Sequence, residues 1–136
     1  MRRRLAWLAS VPLVRGLSAA APIKPVKFLA LRYKYVEDIL ERRGPFRAAH
    51  IAGLQRMADE GKCLLGGAFN DPADGAVVFF DADKCSKRDV EDFANVRLSL
   101  TLPHSLQADP YVTNDLVPEW SVSEYMAVVG TLKPDQ

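Results

Sequence analysis

The sequence predicts a small α+β domain built around a histidine–carboxylate pair, and three observations carry that expectation. His50 lies on the inner side of an apparent helix that opens at Pro45. Two apolar runs follow it, joined by a hexamer rich in turn residues. Asp109 then opens the segment Asp109-Pro110-Tyr111-Val112. A dyad of this kind does proton-transfer chemistry on a small molecule rather than binding a polymer.

The elements follow in order. Val26–Tyr33 is dense in apolar and aromatic residues (Val26, Phe28, Leu29, Ala30, Leu31, Tyr33) and reads as a strand. The charged stretch from Tyr35 to Arg43 is a connection with room for a helical turn. Gly44-Pro45 breaks the chain, and proline suits a first helical position because its missing N–H would go unpaired there in any residue. Pro45–Glu60 shows a helical stripe of Ala49, Ile51 or Ala52, Leu54, Met57 and Ala58, with Gly61 placed as the C-terminal cap. Lys62–Phe69 reads as a strand. It leads through Asn70-Asp71-Pro72-Ala73-Asp74-Gly75 into a second apolar run, Ala76–Phe80, which makes an antiparallel hairpin. Lys87–Asn95 is helical, with Val90, Phe93 and Ala94 on one side. Pro118–Val129 carries Trp120, Val122, Tyr125 or Met126, and Val128–Val129, and closes the domain as a strand.

The resulting order, β-α-β-β-α-β, is the ferredoxin-like split βαβ arrangement: a four-stranded antiparallel sheet with two helices on one face. The other face needs cover in so small a domain. A homodimer packed sheet on sheet provides it, because an open apolar sheet is an aggregation hazard.

At 136 residues the chain has room for one core. Its net charge of +1 hides a segregation. Residues 1–35 hold eight Lys/Arg and no acid, and the remainder holds ten Lys/Arg against seventeen acids, a sum of −7. An acidic domain argues against nucleic acid as a partner, since such binding needs a basic surface to displace phosphate counterions. Residues 1–22 are Arg-rich, acid-free and interspersed with Ala, Ser and Leu, the composition of a mitochondrial presequence. The competing readings are a secretory signal, whose apolar run Pro12 and Arg15 would interrupt, another organelle address, or a tail with no address. No run is long enough to cross a membrane. The expected organisation is a presequence over 1–23, the domain over 24–131 and a tail over 132–136.

Cys63 sits in an apolar run and packs as a small hydrophobe. Cys85, between Lys84 and Lys87, reads as exposed, with lysines that would lower its thiol pKa. A disulfide between the two stays open. The cysteines make no metal spacing, no carboxylate–His cluster points to a metal, and no Gly-rich phosphate loop is present, so no cofactor is expected.

The ordered set of segments resembles the YciI-like (YCII-related) family of the dimeric α+β barrel superfamily. The segments are Phe28-Leu29-Ala30-Leu31, Arg47-Ala48-Ala49-His50-Ile51-Ala52-Gly53-Leu54, Gly61-Lys62-Cys63-Leu64-Leu65-Gly66-Gly67-Ala68, Asp71-Pro72-Ala73-Asp74-Gly75-Ala76, Asp109-Pro110-Tyr111-Val112 and Glu119-Trp120. The resemblance spans residues 26–95 and 108–130. Each piece occurs by chance, whereas their order is specific. In that family the helix histidine and the aspartate of Asp-Pro-Tyr are regarded as a candidate active-site dyad, which here means His50 and Asp109. The resemblance implies proton transfer of lyase, isomerase or dehalogenase type on a small aromatic or enol-like molecule. A carboxylate on one imidazole nitrogen fixes the tautomer and raises the basicity of the other.

Each site residue also has a structural reading. His50 could be a core histidine bonded to a carbonyl, and Asp109 the cap of a helix starting at Pro110. Arg47, three residues before His50, could orient an anionic substrate or stand in solvent. Gly66 and Gly67 mark a bulge, a close backbone approach near a pocket, or plain strand packing. Tyr111 and Trp120 are substrate-contacting or core aromatics. The alternative function is a non-catalytic dimeric module that binds a small molecule or a protein.

Between Asn95 and Ala108 stand twelve residues, 96–107, foreign to the family pattern. Without them the junction reads Phe-Ala-Asn-Ala-Asp-Pro-Tyr-Val. They are a true insertion, such as an edge strand at a dimer rim, or a retained intron. Val codons begin GT and one Gln codon is CAG, so twelve codons could begin and end on splice signals in frame. A transcript comparison that found no shorter message would exclude retention. His104 within the segment is not expected to be catalytic.

Overall fold

The computed structural model describes residues 25–95 and 108–130. The N-terminal address and the segment 96–107 lie outside the described residues. The elements are β1 (Val26–Lys34), α1 (Ile39–Arg42), α2 (Gly44–Asp59), β2 (Cys63–Ala68), β3 (Gly75–Asp81), α3 (Lys87–Phe93), α4 (Pro110–Thr113) and β4 (Glu119–Ala127). The sheet order is β2-β3-β1-β4, and the described pairings are antiparallel. This is the ferredoxin-like arrangement that the sequence predicts, with two short helical turns added.

Helix ends obey local chemistry. Pro45 stands in the first turn of α2. Gly61, at φ 73°, closes α2 as a Schellman motif. Its N–H donates to the Ala58 carbonyl at 2.9 Å and that of Lys62 to the Met57 carbonyl at 2.8 Å. α3 opens on a capping box: the Asp89 N–H donates to Ser86 Oγ at 3.2 Å and the Ser86 N–H to Asp89 Oδ2 at 2.7 Å.

Strand alternation gives the sheet two different faces. Leu29, Leu31, Tyr33, Val78, Phe80 and Val122 point toward the helices and join Ile39, Val90 and Leu116 in the main core. Burying such side chains stabilises by about 1.5–3 kcal/mol each. On the opposite face Phe79 meets Phe28 and Tyr125 edge to face, with ring centres 6.4 and 5.1 Å apart. Leu65, paired with Phe79, and Tyr125, paired with Phe28, stay about half exposed there.

Two expectations of the helical and cysteine readings are corrected. The inner side of α2 runs through Phe46, His50, Gly53, Leu54 and Met57, while Ala49, Ile51 and Ala52 are exposed. The helix is rich in alanine, so its apolar pattern has little contrast to fix the rotation. Cys85 is buried, not exposed. The chain turns inward after β3, and the Cys85 thiol donates to the Asp81 carbonyl at 3.2 Å. Burial pushes that thiol up to about 11, with Asp89 and Asp81 adding to the rise against a smaller pull from Lys62. Cys63 is buried as expected, and both thiols are free.

Candidate functional site

α4 is one turn long, and its start carries the site. Asp109 caps it: Oδ1 accepts the Tyr111 N–H at 2.9 Å. The Asp109 N–H donates to the Phe93 carbonyl at 2.9 Å, which ties this corner to the end of α3. The side chain is 0% exposed. Two distant elements reach it there. From α2, His50 Nδ1 lies 2.7 Å from Oδ1 and 2.9 Å from Oδ2. From β1, the Tyr33 hydroxyl donates to Oδ2 at 3.0 Å.

These contacts fix the protonation pattern. The Tyr111 N–H can only donate. A carboxylate accepts all three bonds without conflict, so Nδ1 of His50 bears the hydrogen in the neutral ring and Nε2 keeps its lone pair. Tyr111 holds the ring in plane, stacked at a centre distance of 3.9 Å and an interplanar angle of 4°. The imidazole is thus fixed on one edge by a carboxylate and on one face by a phenol.

A cavity of about 470 Å³ opens between α2 and the β2–β3 side of the sheet. Its lining includes His50, Tyr33, Tyr35, Tyr111, Arg43 and Arg47, and its floor is aliphatic. The phenols around it hold their protons firmly. Burial raises Tyr33 well above the usual tyrosine value, and the Asp109 charge and hydrogen bond add to that. Burial, then the neighbouring Tyr111 and Asp109, raise Tyr35. Burial raises Tyr111 too, although Arg43 and Arg47 pull against it.

The structure therefore brings His50, Asp109, Tyr111 and Arg47 into one place. Gly67 borders the same cavity, but the site where its Cβ would stand is open. Gly66 faces Val78, and the bulge expected near the glycines falls one turn of the pleat earlier, between Cys63 and Leu65. Trp120 is half-buried against the core. His104 lies outside the described residues. Among the described residues no three His, Cys, Asp or Glu side chains gather as a metal site, and no helix is long and apolar enough to cross a membrane.

Sequence reasoning missed Tyr33, Tyr35 and Arg43. A signal existed for Tyr33: it follows Leu29 and Leu31 on the core side of the strand, and a tyrosine buried there needs a partner for its hydroxyl.

No family model matches the chain, and no curated protein matches it. Among solved structures it is similar to the 5-chloro-2-hydroxyhydroquinone dehydrochlorinase of Burkholderia phenoliruptrix, in complex with 2,5-dihydroxybenzoquinone. The TM-score is 0.51 at 18% identity, over 72% of this chain and 92% of that one. A likeness at this identity shows the fold. The chain is an α+β domain of ferredoxin-like order. Its site joins a fully buried aspartate to a cavity-lining histidine.

Proposed function

We propose that the chain is a YciI-like enzyme that transfers protons on a small molecule without a cofactor, with His50 as the acid or base and Asp109 as its partner. The single observation that carries this reading is the 2.7 Å contact between His50 Nδ1 and a fully buried carboxylate, beside a cavity of small-molecule size. With Nδ1 engaged, Nε2 is the atom left to act.

The step follows from that geometry. A C–H bond next to a carbonyl breaks, the proton passes to Nε2, and the electron pair moves onto the carbonyl oxygen as an enolate. Asp109 balances the imidazolium that forms. Return of the proton to another atom completes an isomerisation. Expulsion of a leaving group on the neighbouring carbon completes an elimination. The dehydrochlorinase named above performs an elimination on a small hydroxylated ring by its own name, which supports this choice of class.

A second copy of the chain is the fitting cover for the apolar face around Phe28, Phe79 and Tyr125. The composition of residues 1–22 supports delivery to mitochondria.

A second reading has one observation in its favour. Each bond of Asp109 also serves the fold, since it caps α4 and ties α2 and β1 together. On that reading the domain binds a metabolite or protein without turnover. Solvent-deuterium incorporation and halide release, measured over enolisable ketones and chlorinated hydroquinols with wild type and His50→Ala, separate the two. Turnover that vanishes in a variant with an unchanged circular dichroism spectrum supports the enzyme. A variant that fails to fold assigns His50 to the structure and favours the binding module.

A further inference from the structure

The cavity beside His50 carries two cationic side chains that the proton-transfer chemistry does not use. Arg43 and Arg47 stand four residues apart at the start of α2, which puts them on one side of the helix, and both line the cavity. Neither makes an ion pair among the described residues. Among the described residues no Asp or Glu lines the cavity. The one carboxylate behind it, Asp109, is fully buried and already accepts from His50, Tyr33 and the Tyr111 N–H.

What sets these two apart is the cavity they share. From residue 36 onward acids outnumber Lys and Arg by seventeen to ten. Arg42, next in the chain to Arg43, pairs with Asp38, and Lys27, Lys34, Lys62, Lys84 and Lys87 all find acids. Arg32, Arg56 and Arg88 also lack an ion pair, but they are exposed and outside the cavity. Like charges four residues apart on a helix repel, a cost that a bound anion would offset. The rest of the lining decides what kind of anion. Ile51, Leu54, Val78 and the Tyr111 ring offer an apolar surface. A bare inorganic ion would leave that surface unused.

We propose that Arg43 and Arg47 form an anion clamp, and that the ligand of this site is a planar organic anion whose charged oxygens meet the guanidiniums while its ring or carbon frame lies against the apolar lining. The inference rests on the proposed use of this cavity as the substrate site and adds the charge class of what enters it. Guanidinium groups present paired donors that match a carboxylate or an enolate oxygen. The same charges would hold the enolate formed when His50 takes its proton.

The test compares benzoate with its neutral isostere benzamide, titrated into the full chain and followed by NMR at residues 43–50 and at Tyr111. Benzoate should bind at least about tenfold more tightly, as charge-assisted bonds to arginine require. The preference should shrink to about twofold or less in Arg43→Gln/Arg47→Gln and weaken in wild type as salt is raised. It should persist in His50→Gln. Arg47 is exposed, so Arg47→Gln by itself, with a partial loss of preference, stands in if the double variant does not fold. Equal affinities, a preference unchanged in the arginine variants, or no benzoate binding at millimolar concentration overturns the clamp. Because the assay needs no turnover, the two claims separate. A clear anion preference in a chain that turns nothing over removes the enzyme and keeps the clamp. Turnover of neutral substrates with no anion preference does the reverse.

Discussion

Among the described residues two aspartates are buried, and they do different things. Asp81, at the end of β3, is 1% exposed, and Asp109, before α4, is 0% exposed. The side chain of Asp81 works within its own turn: Oδ1 accepts the Asp83 N–H at 2.8 Å, and Lys84 Nζ stands 4.0 Å from Oδ2. Asp109 also makes a local bond, to the Tyr111 N–H. Its other partners lie 59 and 76 residues away, His50 and Tyr33. A buried acid with partners inside its own turn is a device for reversing the chain. A buried acid on which three elements converge, one of them bringing a histidine to a cavity, is the arrangement on which the proposed proton transfer rests. Burial and charge do not separate the two corners; the reach of the hydrogen bonds does.

Replacing each acid by its amide should break the comparison most sharply. In Asp109→Asn one oxygen must serve three donors, and the amide N–H₂ meets hydrogen where it needs a lone pair. The amide would turn the His50 ring to the wrong tautomer, so activity should fall by on the order of 10³–10⁴. Stability should fall by about 1–3 kcal/mol for each donor left unsatisfied. ¹⁵N chemical shifts of His50 read the tautomer directly. An unchanged tautomer would remove Asp109 from the site. In Asp81→Asn the amide oxygen can still accept the Asp83 N–H. The lost contact to half-exposed Lys84 is worth about 0–1 kcal/mol, and activity should not change.

His50→Gln should separate chemistry from structure at the same corner. The loss in rate should be about 10²–10⁴ if the imidazole is the acid or base. The thermal midpoint should drop only slightly, because Gln can still donate to Asp109. A rate within a few-fold of wild type would sink the catalytic assignment.

Tyr33→Phe is a smaller step. It removes one donor from Oδ2 and keeps the ring. The stability cost should be about 1–2 kcal/mol, since the hydroxyl and its partner are buried. The rate should drop by roughly tenfold, through looser placement of Asp109. The informative signature is a loss in kcat with KM little changed, which a general destabilisation would not produce.

How far the sequence foretold these two corners follows the same division between local and distant bonds. The strands, α2 and its Gly61 cap are written in local patterns, and so is the cap that Asp109 makes for α4. The proximity of His50 to Asp109 rests on a family resemblance, because no rule of spacing joins residues 59 apart. Tyr33 escaped notice since its bond to Asp109 exists only once β1 occupies the middle of the sheet and places the strand's end under α4. Arg43 escaped because it stands between two helices and reads as a connection. Cys85 was misjudged for the opposite reason. Its flanking lysines are charged, but the Ser86–Asp89 capping box and the Asp81 turn draw the residue between them inward.

That misjudged thiol supplies the mildest test, at the Asp81 corner. A Cys85 pKa of about 11 in the fold stands above the ordinary thiol value of 9.0. Well below pH 9.0 the thiol is protonated whether the chain is folded or not, so stability is unaffected there. Between 9.0 and about 11 the unfolded chain gives up its proton first, and stability falls as pH rises. The window opens ahead of the tyrosines, whose ordinary value is 10.0. Cys63, also raised by burial, contributes to the same limb. Cys85→Ala should therefore flatten, without abolishing, the decline in urea midpoint measured from pH 8.5 to 9.5, and should leave activity near neutral pH as it was. An identical decline in the variant would mean that the thiol is open to water and that the turn around Asp81 does not close over it. A change in neutral-pH activity would mean that the two corners are coupled, against the difference in reach that divides them.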